Sequence, residues 1–137
     1  MNMTEEVARN KHRKLMKILM ERMKKDGFTI TGASDFAPDI PETRIIKKWS
    51  PDVSGYNPKS GLKAYGEAKL CEYLYEKQSE KTGEQFIEFS NDKMEKSDAR
   101  IPFYLAVPKD CEATLSRKLA DLGLTKKANM ILILAET

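Results

Sequence analysis

At 137 residues the chain is long enough for one domain, 1–137, with a real hydrophobic core, and neither a repeat nor a linker divides it. Hydrophobic residues make up 40% and charged residues 33%; no run is apolar enough to span a bilayer or to act as a signal segment, so a globular, cytoplasmic protein away from membranes is expected. The net charge of +3 says less than its distribution. Arg9, Lys11, Arg13, Lys14 and Lys17 cluster early, and Lys47 and Lys48 stand side by side, a pattern of phosphate-tracking surfaces and equally of solvated helix and loop faces.

In chain order, residues 1–4 are expected to fray. The spacing of Leu15, Met16, Leu19, Met20 and Met23 then predicts a helix over about 5–25, stopped by Asp26-Gly27. Phe28 to Thr31 forms a short first strand. Residues 32–44, with two prolines and several turn formers, form a long loop carrying Asp35, Asp39 and Glu42. A second strand is expected over 52–56, a turn at 57–61 and a third strand over 62–70. Residues 71–78 are ambiguous. A helix over about 81–91, a polar loop over 92–100, a buried strand over 101–107, a helix over 111–122 ended by Gly123 and a last strand over 130–134 complete the order. The first three strands suit an antiparallel meander, whereas the later β-α-β passages need crossovers and hence parallel pairing. The expected product is α/β: a mixed central sheet in the order α-βββ-α-β-α-β, flanked by helices on both faces.

Chemistry concentrates at Pro51-Asp52 and Glu67-Ala68-Lys69. Residues two apart on a strand share a face, so Glu67 and Lys69 point the same way, and a hairpin partner brings Asp52 beside them. Two carboxylates and an ammonium that converge in this way suit metal-assisted cleavage of a phosphodiester. Elsewhere the sequence gives no Gly-rich phosphate loop and no evident thiol-histidine pair, and Cys71 and Cys111 lack metal-site spacing and fit reduced thiols. Trp49, Tyr56 and Tyr65 flank the motif; such rings stack on splayed bases or pack at a core rim.

Pro51-Asp52 followed by Glu67-Ala68-Lys69 resembles the PD-(D/E)xK nuclease superfamily, and the element order looks like its restriction-endonuclease-like core. Ile87-Glu88-Phe89-Ser90, followed after a loop by 101–107, resembles the helix-to-strand passage of archaeal Holliday junction resolvases. The resemblance implies that Asp52 and Glu67 bind Mg²⁺, with Mn²⁺ able to substitute, that the Ala68 carbonyl joins them, and that Lys69 orients the attacking water. The resolvases also place a glutamate in the first helix, where this chain has Arg13, Lys14 and Leu15. RecB-type nucleases place a histidine there and a glutamine on the helix after the ExK strand, which makes His12 a candidate metal ligand and Gln85 a candidate catalytic residue. The alternatives are a core-edge histidine bonded to a carbonyl, and a helix-surface amide. Glu5 and Glu6 are acidic alternatives to His12, and Glu84 and Glu88 are taken as surface charge.

The resemblance thus implies a DNA endonuclease, selective for DNA structure and resolvase-like, working in recombination, repair or the life of a mobile element. Arg13, Lys14, Lys47 and Lys48 would contact DNA, possibly branched, and cutting both strands of a junction would require a homodimer. A sequence-specific restriction-type nuclease and a non-catalytic DNA-binding subunit are the competing expectations.

Overall fold

The computed structural model describes residues 3–75, 78–95, 97–125 and 127–136. Its elements are α1 (Met3–Lys25), β1 (Thr29–Ala33), β2 (Val53–Tyr56), β3 (Lys63–Ala68), α2 (Glu72–Tyr75), α3 (Ser79–Asn91), β4 (Phe103–Pro108), α4 (Glu112–Asp121) and β5 (Met130–Ala135). One five-stranded sheet runs β1-β2-β3-β4-β5. Its first two pairings are antiparallel and its last two parallel. The reason is connection length: a turn at 57–62 joins β2 to β3, whereas β3–β4 and β4–β5 are each bridged by helix. This is the mixed α/β sheet that the element order anticipates. Among the described residues no helix is long and apolar enough to cross a membrane.

The sheet separates two cores. On one face α1 alone packs Leu15, Met16, Leu19, Met20 and Met23 against Val53, Ala64, Ala68, Tyr104 and Ala106. On the other, α2, α3 and α4 set Leu74, Phe86, Phe89, Leu115 and Leu119 against Phe103, Leu105 and Val107. Successive β4 residues therefore feed opposite cores, and the strand, buried at Phe103 to Val107, is apolar throughout rather than alternating. Each fully buried Leu, Met or Phe contributes about 1.5–3 kcal/mol. On β3 the α1 face carries only Ala64, Gly66 and Ala68. A Cβ on Gly66 would lie 3.0 Å from both Leu19 methyl carbons and 3.1 Å from Met23 Sδ. This strip of small side chains lets α1 lie close on the sheet, and by the same alternation sends Tyr65 and Glu67 to the α3 face.

Several boundaries differ from expectation. α1 is already formed at Met3; of the residues expected to fray, 1 and 2 lie outside the described residues. β1 extends to Ala33 because it pairs with β2 through an irregularity between Ile30 and Gly32, taking two residues from the expected loop. β4 starts at Phe103: Pro102, which has no N–H, precedes the ladder. Asp52 stands just before β2 and Lys69 just after β3, so the motif lies at strand ends rather than within strands. The ambiguous stretch 71–78 holds the one-turn helix α2, with residues 76 and 77 outside the described set. Cys71 and Cys111 are joined as a disulfide, with Cα atoms 5.4 Å apart, in place of the reduced thiols expected. Nothing in a 40-residue separation announces that contact; it arises because α2 and the start of α4 meet on the same face.

The close approach at Gly66 gives a direct test. Gly66→Val should overpack the α1 face and cost about 1–3 kcal/mol. A chemical-denaturation midpoint equal to that of the parent would show that α1 does not sit this tightly on β3.

Candidate functional site

The register Val53↔Gly66 and Ser54↔Tyr65, continued by one residue, sets Asp52 opposite Glu67. The two acids lace the strand ends together. Glu67 Oε1 accepts the Asp52 backbone N–H at 2.8 Å, and Asp52 Oδ2 accepts the Ala68 backbone N–H at 2.9 Å. Each carboxylate thus satisfies a donor that the end of the ladder would otherwise leave open. From the other face α1 brings His12, whose Nε2 lies 3.0 Å from the Ala68 carbonyl oxygen and 3.3 Å from Asp52 Oδ2. Both partners accept only, so Nε2 carries the proton. The Lys69 backbone N–H donates to the Ala106 carbonyl at 3.0 Å, and its Nζ lies 3.4 Å from Glu67 Oε2.

Glu67 is only 1% exposed, and its Oε2 has no hydrogen-bond partner. Burial pushes its carboxyl up, and the neighbouring Asp52 carboxylate adds to the effect. Lys69 and the Asp52 N–H pull the other way, and the balance stands at about 8. Burial alone would lower His12. The bond to Asp52, that carboxylate's charge and the Ala68 carbonyl outweigh burial, and the imidazole titrates above its ordinary value. Beside this group a cleft of about 370 Å³ opens among His12, Ala68, Lys69, Tyr73, Arg9 and Gln78.

The structure brings Asp52, Glu67, Ala68, Lys69 and His12 into one connected cluster. His12 makes the carbonyl bond that one reading expected while also touching a motif carboxylate. Gln85 is not a surface amide: it is 7% exposed on α3, with Oε1 unpartnered, one turn from the equally buried and unpartnered Thr82 Oγ1. The basic candidates divide. The Arg13 guanidinium donates to the Phe36 carbonyl and lies 5.3 Å from the Phe36 ring centroid, and Arg9 pairs with Asp35 at 3.0 Å. These two arginines tie the 34–43 loop to α1. Lys14, Lys47 and Lys48 are exposed. Sequence reasoning missed Glu88, which is no idle surface charge: its carboxylate accepts the backbone N–H groups of Lys47, Lys48 and Trp49 and holds the loop leading to Asp52 against α3. About 40 residues separate these partners, and no local pattern marks them.

Asp52, Glu67 and the Ala68 carbonyl are hard oxygen donors of the kind Mg²⁺ prefers, and the buried Glu67 Oε2 makes no hydrogen bond, with only the Lys69 ammonium at 3.4 Å to offset its charge. The residues therefore fit a divalent cation. Among the described residues no three His, Cys, Asp or Glu side chains close on one point, so a backbone carbonyl is needed to complete the set.

The electrostatics fix a pH dependence. With both Glu67 and His12 raised, the folded chain holds protons that the unfolded chain has released. Their stabilising contribution is complete below the ordinary carboxylate value and is lost as pH rises through about 8 for Glu67. In chelator, the melting temperature should fall across that window, and Glu67→Gln should flatten the fall and melt higher than the parent at its alkaline end. Parallel melting curves for the two proteins would contradict the burial of a protonated Glu67. In comparisons with known proteins, no family model, no curated protein and no solved structure matches the chain.

Proposed function

We propose that the chain is a metal-dependent DNA endonuclease built on a restriction-endonuclease-like core, selective for DNA structure in the manner of resolvases. The observation that carries this reading is the meeting of Asp52, Glu67, the Ala68 carbonyl and Lys69 where β2 begins and β3 ends. A divalent cation held by Asp52, Glu67 and the Ala68 carbonyl would supply Lewis-acid activation of the scissile phosphate and of water. The chain's own groups do the rest. Lys69, its side chain 15% exposed and its ammonium beside Glu67, would orient a water and offset charge that grows on the phosphate. Its contact with Glu67 keeps it from swinging into solvent. His12 holds Asp52 and the Ala68 carbonyl in place through a single N–H. Gln85 is buried on α3 with its amide oxygen unpartnered, and the resemblance alone assigns it a catalytic part.

The same reading supplies the partners: DNA, branched where the enzyme acts in recombination or repair, and a second copy of the chain where both strands are cut. Mg²⁺ is the working metal and Mn²⁺ the natural substitute. Two alternatives remain distinct by experiment. A restriction-type enzyme cuts only DNA that bears its sequence, and a binding subunit holds DNA in a salt-dependent way and never cuts.

The test is cleavage of supercoiled plasmid and of a labelled four-way junction with Mg²⁺ or Mn²⁺. Lys69→Ala should fold normally and cut about 100-fold or more slowly, in keeping with the loss of one group that stabilises developing charge. Preference for the junction would select the resolvase-like branch. Equal cutting by parent and variant would remove Lys69 from the mechanism, and no cutting of either DNA by folded protein would leave the sequence-specific or binding-only alternatives.

A further inference from the structure

Three residues before Asp52, the Trp49 ring carries two lysines. Lys48 Nζ lies 5.1 Å from the ring centroid and Lys81 Nζ 5.0 Å. Lys48 comes from the same loop and Lys81 from the first turns of α3, so two elements bring their cations to one indole. The ring itself is half-buried against the core that contains Phe86 and Phe89. Two ammonium groups about the indole compete with a base for it. The loop beneath is held by the three backbone donations to Glu88, so the arrangement is built into the fold rather than left to mobile side chains.

The charges do not balance locally. Lys48 has one counter-ion, Glu84, at 3.0 Å. The Glu88 carboxylate is taken up by the backbone N–H groups of 47–49. Among the described residues no carboxylate lies within ion-pair distance of Lys81, which is itself partly buried. Two cations gathered on one ring, one of them without a carboxylate partner among the described residues, with exposed Lys47 next to them, make a place where an anion is favoured. Trp49 is three residues from Asp52, so their Cα atoms are at most about 11 Å apart. With the reach of the side chains added to that span, the anion would lie within a few nucleotides of a phosphate at Asp52.

We infer that Lys48 and Lys81, gripped by Trp49, form a phosphate-binding subsite that fixes the DNA backbone a few nucleotides from the cut. Trp49 is the positioning residue and does not stack on a base. The inference rests on the nuclease reading for DNA as partner, but its test does not require cutting.

The experiment measures binding of a fluorescent duplex in chelator by anisotropy over a salt series, with Lys48→Gln, Lys81→Gln, the double variant, Trp49→Leu and Trp49→Phe. Each phosphate contact contributes about 0.9 to the slope of log K against log salt, so the double variant should lower the slope by about 2 and weaken low-salt binding about tenfold or more. Trp49→Phe should keep the parent slope, because a ring remains, whereas Trp49→Leu should move towards the double variant. Circular dichroism melting separates this from loss of fold, and the lysine variants carry the test if Trp49→Leu unfolds. A double variant with the parent's affinity and slope overturns the inference, even if the parent cuts DNA. So does a parent that does not bind. A lowered slope in the double variant of a parent that cuts neither plasmid nor junction upholds the subsite and overturns the structure-selective nuclease reading instead.

Discussion

The crossed bonds from the Asp52 N–H to the Glu67 carboxylate and from the Ala68 N–H to the Asp52 carboxylate are the constraint around which this molecule is arranged. Each carboxylate receives a backbone N–H from the opposite strand end, so the acids cannot be withdrawn without opening the β2–β3 ladder. The geometry places one carboxylate, Glu67, where water does not reach. A buried carboxylate is costly unless it is protonated or paired, and here its second oxygen meets only a lysine at 3.4 Å. Such a group is expensive as a purely structural device, because an apolar residue of similar size would fill the space at less cost.

The layers on either side serve that arrangement. Small residues along one face of β3 admit α1, and the closeness of α1 carries His12 to the strand ends. On the opposite face α3 packs on the sheet through Phe86 and Phe89, with Thr82 and Gln85 also among its buried residues. Just beyond Lys69 the chain is fastened by the bond from Cys71 to Cys111 at the start of α4, and Tyr65 and Tyr104 anchor neighbouring strands by donating to Asp92 and Asp26 at 2.6 and 2.7 Å. The cluster therefore stands on regular elements and short, tethered ends, the condition under which side-chain positions are held to the tolerance that chemistry needs.

Around the cluster, basic residues of similar composition have different duties. Arg9 and Arg13 are spent on the 34–43 loop, where Asp35 adopts a left-handed conformation (φ 48°) and donates its backbone N–H to the Glu42 carboxylate. Lys48 and Lys81 converge on an indole, and Lys14 and Lys47 face solvent. A charge count would treat all of these alike. The difference lies in which cations have already found a partner within the chain: Arg9 in Asp35, Arg13 in the Phe36 carbonyl and Lys48 in Glu84.

The sequence by itself determined the class of fold and the identity of the central residues. Helical spacing in α1, the apolar run of β4 and the alternation of Tyr65 and Glu67 with small residues are local patterns set by the periods of helix and strand, and they survive folding unchanged. Pro51-Asp52 and Glu67-Ala68-Lys69 were legible for the same reason: a hairpin joins them, and its register follows from a short turn. Only the tertiary structure decided what lies across large separations. It turned His12 towards Asp52 and Ala68, buried Gln85 rather than exposing it, joined Cys71 to Cys111, set Glu88 under the loop before the motif and placed Lys81 beside Lys48. Those contacts depend on how closely helices lie on the sheet and where loops cross it, and neither leaves a periodic trace in the chain.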